Sequence, residues 1–278
     1  MCIRDSATPV SKPVACLVPF HGRLLVGAGR VLTMFELGKK RLLKKAENSK
    51  VVHNKISSID TRGERVFVGD VQDGLHLVAF NTSQNQFLLV AGEANPRWIA
   101  SSTLVDYNTV AGGDKFGNFF VSRLPPEAVG LSEDDPTAGS SREGQTLFDF
   151  KFLSECSFHV GTLVQWVSRA SLGGLHESLV YGTLQGGIGA FAALGVQSDI
   201  SFFEQLSLLL RDQDLSLVGR DHLSFRSTYA PSRHVIDGDL CDLFTTLPHD
   251  KQATIAKEMD RDIRDILRKL EDVRDRML

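Results

Sequence analysis

The 278-residue sequence predicts a mainly β protein with an α-helical C-terminal region: a partial β-propeller followed by a small helical domain. Three observations predict it. An apolar hairpin returns four times along the first two thirds of the chain. Its glycine recurs, at Gly27, Gly69 and Gly113, with a spacing of roughly 40 to 45 residues, the period of a four-stranded WD40-like blade. Beyond Leu194 the apolar residues leave alternation and adopt a helical rhythm.

The clearest hairpin is 65–80, RVFVGDVQDGLHLVAF. An apolar run (Val66, Phe67, Val68) is followed by a turn closed by Asp73-Gly74, and alternation resumes at Leu75, Leu77 and Val78. Asp-Gly between β-branched and aromatic runs is a strong hairpin signal, because glycine accepts the positive φ of a tight turn. Residues 23–37 (RLLVGAGRVLTMFEL), 108–124 (NTVAGGDKFGNFFVSRL) and 178–194 (SLVYGTLQGGIGAFAAL) repeat the pattern around Gly27, Gly113 and Gly182. Less regular pairs, such as 87–90 and 98–105, complete four strands per blade. The last interval is lengthened by 125–145 (PPEAVGLSEDDPTAGSSREGQ), whose Pro, Ser, Gly and acid content predicts a mobile loop inside a blade. Strands resume at 146–152 and 163–167. Residues 1–11 carry no strand or helix pattern and read as a disordered or non-native leader, which leaves 12–195 as the partial propeller and 196–278 as the helical domain.

In the helical part, Ser201 and Glu204 have the spacing of a capping box. Phe202, Phe203, Leu206, Leu209 and Leu210 fall on one helical face. Asp237 is placed to cap a second helix bearing Leu240, Leu243, Phe244 and Leu247. Pro248 ends that helix and suits the start of a third, through Ile255 and Met259. The last helix carries a stripe of Ile263, Ile266, Leu267, Leu270 and Val273, with Asp265–Lys269 and Asp272–Arg276 spaced as i,i+4 ion pairs on its wet side.

Composition excludes several function classes. The net charge of −3 exerts no global pull toward nucleic acid or anionic membrane. Four scattered cysteines form no C-x-x-C pair, which argues against a disulfide framework or a cysteine-rich zinc site. The eight histidines show neither H-x-x-x-H nor H-x-H spacing, so no metal site is read. Gly187, Gly189 and Ala192 fit G-x-G-x-x-A, but within a hairpin copy followed by strand-like residues they read as a turn, not a cofactor loop. No G-x-S-x-G elbow singles out a nucleophile. The reading is of no catalytic residue and no cofactor. The basic cluster Lys39, Lys40, Arg41, Lys44 and Lys45 lacks the interleaved aromatics that stack bases and reads as a solvated surface.

One stretch remains, 219–240 (GRDHLSFRSTYAPSRHVIDGDL). It sets charge beside the apolar anchors Leu223 and Phe225, between two helices. It reads as a linker tied down by its own ion pairs. As a partner-binding surface, the alternative, it offers Arg220, Asp221, His222, Phe225, Arg226, Asp237 and Asp239.

HLSFRS followed by VIDGDL resembles the C-terminal domain shared by the large subunit of the cleavage and polyadenylation specificity factor and the large damaged-DNA-binding subunit. A narrower likeness rests on NPRW (95–98), DKFGN (114–118), RLPP (123–126), ESLVY (177–181), GGIG (186–189), GRDHLSFRS (219–227) and VIDGDLC (235–241). Together they resemble the C-terminal part of the splicing factor 3b subunit-three family. The resemblance implies about four blades of a seven-bladed ring, in a non-catalytic scaffold of the U2 small nuclear ribonucleoprotein. It implies a nuclear location and a role in branch-site recognition during pre-mRNA splicing. The implied partners are the helical-repeat subunit and a small companion subunit of the same complex, with indirect association with U2 small nuclear RNA and pre-mRNA and none with membrane. A ubiquitin-ligase adaptor of the damaged-DNA-binding type and a propeller that binds nucleic acid directly are the alternatives.

Overall fold

The computed structural model describes residues 7–129, 150–171, 177–213 and 218–277. Blade 1 is the meander β1 (Val14–Phe20), β2 (Arg23–Ala28), β3 (Val31–Leu37) and β4 (Leu42–Asn48). Blade 2 repeats it with β5 (Ile56–Arg62), β6 (Arg65–Asp70), β7 (Leu75–Asn81) and β8 (Gln86–Gly92). Blade 3 begins with β9 (Ile99–Leu104), β10 (Thr109–Asp114) and β11 (Asn118–Arg123). The chain then leaves it: β12 (Phe150–Lys151) adds in parallel to β8 of blade 2 before β13 (Leu153–His159) returns to close blade 3. Blade 4 has three described strands, β14 (Val164–Ala170), β15 (Ser178–Thr183) and β16 (Ile188–Ala192), one fewer than the repeat predicts. The first strands of successive blades lie side by side, β1 against β5, β5 against β9 and β9 against β14. This is a four-blade propeller arrangement.

The recurring glycines occupy one position in it. Gly27, Gly69, Gly113 and Gly182 all lie on the second strand of their blade, opposite Cys16, Ser58, Ser101 and Trp166, and each pairing borders a bulge. The reason is spacing between blades. A Cβ on Gly27 would lie 2.9 Å from Ile56 Cγ2, one on Gly69 3.0 Å from Ile99 Cγ2, and one on Gly113 2.4 Å from Val164 Cβ. The β-branched residue that opens each blade thus seats against the glycine of the blade before, and Ile56, Ile99 and Val164 are wholly buried. Val14 holds the same position in blade 1 and is 44% exposed, while a Cβ on Gly182 would meet nothing within 4 Å. Among the described residues the interlock is complete between the four blades and open at both outer sides. A further tie is Arg65 of β6, which is buried, lies 4.1 Å over the Tyr107 ring and donates to Tyr107 O at 3.1 Å and to Asn108 Oδ1.

Five helices follow among the described residues: α1 (Gln197–Arg211), α2 (His222–Phe225), α3 (Gly238–Thr246), α4 (His249–Glu258) and α5 (Ile263–Met277). The inward faces of α1, α3, α4 and α5 share one apolar cluster that includes Phe202, Phe203, Leu206, Leu210, Phe244, Ile255 and Ile266, with the stripe of the last helix packed into it. Asp237 caps α3 by accepting from Asp239 N at 3.1 Å and Leu240 N at 3.5 Å. Pro248 stands at the N-cap of α4.

Two local expectations are corrected. Ser201 is no cap: α1 begins at Gln197, so Ser201 is interior and its hydroxyl donates back to Gln197 O at 3.0 Å. Lys269 pairs not with Asp265 but with Asp199 of α1, at 2.7 Å, because it faces the helix bundle and not the solvent. Arg276, the partner expected for Asp272, lies outside the residues whose side chains are described. The predicted loop at 125–145 lies outside the described residues from 130 onward. Its first part, 126–129, is a helical turn in which Ala128 packs with Phe67, Leu75 and Phe152. Of the predicted strand at 146–152, only 150–152 are described. No described helix is long and apolar enough to cross a membrane.

Candidate functional site

The stretch between α1 and α3 is where the helices and the propeller meet. α2 occupies its start, and residues 226–237 then run back across blade 3 as a strap. Ser157 of β13 and Arg233 exchange backbone bonds of 3.1 and 2.8 Å, a single antiparallel bridge at the blade's outer edge. His159 N donates to Arg226 O at 3.1 Å, and His234 Nδ1 lies 2.8 Å from Glu155 O.

The strap reaches the turn that joins β10 and β11, the DKFGN run. Asp114 is fully buried there. Its Oδ1 accepts from Phe116 N at 2.8 Å and Asn118 N at 2.9 Å, and its Oδ2 accepts from Asn118 Nδ2 at 2.7 Å. Tyr229 donates its hydroxyl to that same Oδ2, while Thr228 Oγ1 donates to Asn118 Oδ1 at 2.7 Å. The Tyr229 ring meets Phe116 edge-on at 6.1 Å. Burial, the hydrogen bond to Asp114 and the Asp114 charge together push the Tyr229 phenol up to about 12. Burial also holds the nearby His159 imidazole below its usual range.

The seven residues singled out from the sequence divide into two groups. Four, Asp221, His222, Arg226 and Asp237, are held within the chain, and Arg220, Phe225 and Asp239 face outward. Asp221 forms a two-pronged pair with Arg211, at 2.5 and 3.2 Å. Asp237, besides capping α3, takes His222 Nε2 at 2.8 Å and Arg226 Nε at 2.6 Å on its Oδ2. Arg226 also lies 5.0 Å over the Phe158 ring, and its Nη2 is 3.7 Å from Asp239 Oδ2. Asp239 nevertheless has a side chain 94% exposed, and Arg220, Leu223 and Phe225 are exposed as well. The stretch is therefore a tied linker with an outward rim of Arg220, Leu223, Phe225 and Asp239. Sequence reasoning missed the Tyr229–Asp114 contact, which joins residues 115 apart.

Elsewhere the G-x-G-x-x-A residues belong to the hairpin, though to its return strand more than to its turn. Gly189 is within β16, facing the Tyr181 ring, and strand follows it. Of the basic cluster, Lys44 pairs with Glu47 at 2.5 Å and Lys45 with Glu36 at 2.7 Å, which neutralises part of its charge. Arg97 and Trp98 of the NPRW run diverge: Arg97 is buried over Phe120, and Trp98 lies on the surface beneath Lys115 Nζ, 3.8 Å away.

Comparison with known proteins agrees with this layout. The chain is 43% identical over 275 residues to spliceosome-associated protein 130 A of Arabidopsis thaliana, covering 98% of this chain and 23% of that protein. It is 42% identical to splicing factor 3B subunit 3 of Danio rerio, over 97% of this chain and 22% of that protein, and 39% identical to its Drosophila melanogaster counterpart, with the same coverage. The chain thus spans less than a quarter of the length of these relatives. Residues 6–246 match the CPSF A subunit region, which takes in the blades, the strap and the capped helix α3. The chain belongs to the CPSF A subunit region family.

Proposed function

We propose that this chain is part of a non-catalytic interaction scaffold of the splicing machinery, acting in the nucleus within a splicing factor 3b complex of the U2 small nuclear ribonucleoprotein. In this reading 12–195 is a partial propeller belonging to a larger, seven-bladed ring, and 196–278 is a helical domain docked on it. The observation that carries the reading is the open interlock. Val14 and Gly182 have the register of Ile56, Ile99, Val164 and their glycines, yet among the described residues neither is seated against a further blade. Further blades would complete both, which suits a scaffold assembled from a longer protein. The relatives named as splicing factors support the splicing assignment. The rim of Arg220, Leu223, Phe225 and Asp239 is the surface offered to the helical-repeat subunit and the small companion subunit, with Asp221, His222, Arg226 and Asp237 holding its shape. Branch-site recognition would follow through those partners.

The test is affinity purification of the tagged chain from nuclear extract, followed by mass spectrometry. Recovery of splicing factor 3b subunits, reduced by a paired Phe225→Ala and Arg220→Ala change, is the expected result. Recovery of ubiquitin-ligase subunits in their place would overturn it.

A further inference from the structure

The repeat supplies an internal standard for one buried group. Asp70 and Asp114 are equivalent: each ends the second strand of its blade, opposite Ile56 and Ile99 respectively, and each is fully buried. Each accepts on Oδ1 from the backbone amide two residues on, Gln72 N at 3.3 Å and Phe116 N at 2.8 Å. They differ at the other oxygen. In blade 3, Asp114 Oδ2 takes the Asn118 amide and the Tyr229 hydroxyl. In blade 2, the pairings Gly69↔Leu75 and Gly113↔Phe119 put Gly74 where Asn118 stands. Gly74 has no side chain to donate, and Asp70 Oδ2 is buried without a hydrogen-bond partner among the described residues. A buried carboxylate oxygen calls for a proton donor or a cation.

Asp70 also belongs to a set of ligand atoms. The nearest carboxylate and imidazole atoms of Asp70, Asp73 and His76 all lie within 4.8 Å of one another. His53 comes from the segment before β5, with its Nδ1 2.9 Å from Asp73 Oδ2, the arrangement in which an imidazole orients a ligating carboxylate. Asp73 sits at the surface of the turn, its side chain 30% exposed, beside Gly74 at φ +97. That position lets Asp73 move inward.

We propose that Asp70, Asp73 and His76 form a binding site for a divalent transition-metal cation of the zinc class, with His53 positioning Asp73. The donor set selects the class. Magnesium and calcium take oxygen ligands in shells of six or more, whereas zinc accepts mixed imidazole and carboxylate ligands in a tetrahedron, with water able to fill the fourth place. Ligand bonds of about 2.0 to 2.2 Å put tetrahedral ligand atoms roughly 3.3 to 3.6 Å apart, so from separations within 4.8 Å the site needs to close by no more than about 1.5 Å. The spacing, D-x-x-D-x-x-H with a histidine 17 residues upstream of Asp70, is no familiar zinc motif. Only the hairpin turn brings it together.

The experiment uses the 278-residue chain after EDTA treatment, titrated calorimetrically with zinc chloride alone, with cobalt chloride absorption reporting coordination. One equivalent of zinc, tetrahedral cobalt bands and a raised melting temperature are expected. Asp73→Asn should weaken zinc binding roughly tenfold or more, and His53→Ala should weaken it within a range of about 10- to 100-fold. Both lie at the surface, and their melting temperature in EDTA should match the parent chain. His249→Ala, at an unrelated exposed histidine, should change nothing. No saturable binding at equimolar zinc, or binding that survives Asp73→Asn unchanged, would overturn the proposal.

Discussion

Gly113→Ala is the sharpest probe of the interlock between blades 3 and 4. The added methyl would lie 2.4 Å from Val164 Cβ and 2.8 Å from its Cγ1, against an ordinary contact beginning near 3.4 Å, a deficit of about 1 Å. Val164 is wholly buried and its β-branch leaves few rotamers to retreat into, so the strain must open the seam. Overpacking of a close-fitted site costs about 1 to 3 kcal/mol, and the rigid neighbour places this case near the upper end. Gly182→Ala adds the same methyl at the equivalent place, where nothing lies within 4 Å, and should stay within about 0.5 kcal/mol of the parent. In urea at 25 °C, with a slope of about 2 to 3 kcal/mol per molar, Gly113→Ala should lower the midpoint by roughly 1 M and Gly182→Ala hardly at all. Equal losses would mean that the Gly182 side is already filled. No loss in either would mean that these glycines do not set the distance between blades.

Asp237→Ala removes a helix cap and leaves Arg226 and His222 without their shared carboxylate, so it should cost about 3 kcal/mol in thermal unfolding, with Asp237→Asn costing less because the amide oxygen still caps α3. Tyr229→Phe should cost about 1 to 2 kcal/mol by stripping a donor from buried Asp114. Because the folded-state phenol is raised, the stability linked to Tyr229 is complete below about pH 10 and is lost as pH rises toward about 12; the variant should lack that alkaline loss in a pH series of melts. Replacing Lys39, Lys40, Arg41, Lys44 and Lys45 with Gln should leave weak binding of single-stranded RNA within about threefold at physiological salt, since two of the five charges are already paired. A large loss with a shallower salt slope would promote direct nucleic-acid binding.

The blades were legible because their signals are local. An Asp-Gly turn between alternating runs specifies a hairpin by itself, and a glycine recurring in register specifies a repeat. The cap at Asp237 was readable for the same reason, since its partners lie two and three residues away. Ser201 misled because a capping-box spacing says nothing about where the preceding residues turn helical, and here α1 starts four residues earlier. Lys269 misled because its choice between Asp265 and Asp199 depends on which helix packs beside it. In the candidate site, the sequence located the charged stretch and its reading as a linker tied by its own ion pairs, but not its attachment to blade 3. The charged pairs are local, 10 to 15 residues apart, whereas Thr228 and Tyr229 reach back 110 residues or more to find Asn118 and Asp114. The excursion of β12 to the edge of blade 2 is invisible for the same reason: two residues pairing in parallel with a distant strand leave no periodic trace.

The strap also bears on the order in which the protein can be made. Asp114 and the phenol that completes its hydrogen bonding are 115 residues apart, so a ribosome adding about 5 to 20 residues per second exposes the first roughly 6 to 23 s before the second. During that interval blade 3 can form its hairpin and the Asn118 contacts, but its carboxylate stays short of a donor and the edge of β13 stays uncovered. The emerging blade is thus provisional, open to binding factors and to unfolding, until the strap is released from the tunnel. Translation then locks the propeller from its distal end, and a chain terminated before Tyr229 would carry all four blades without the clasp that holds the third.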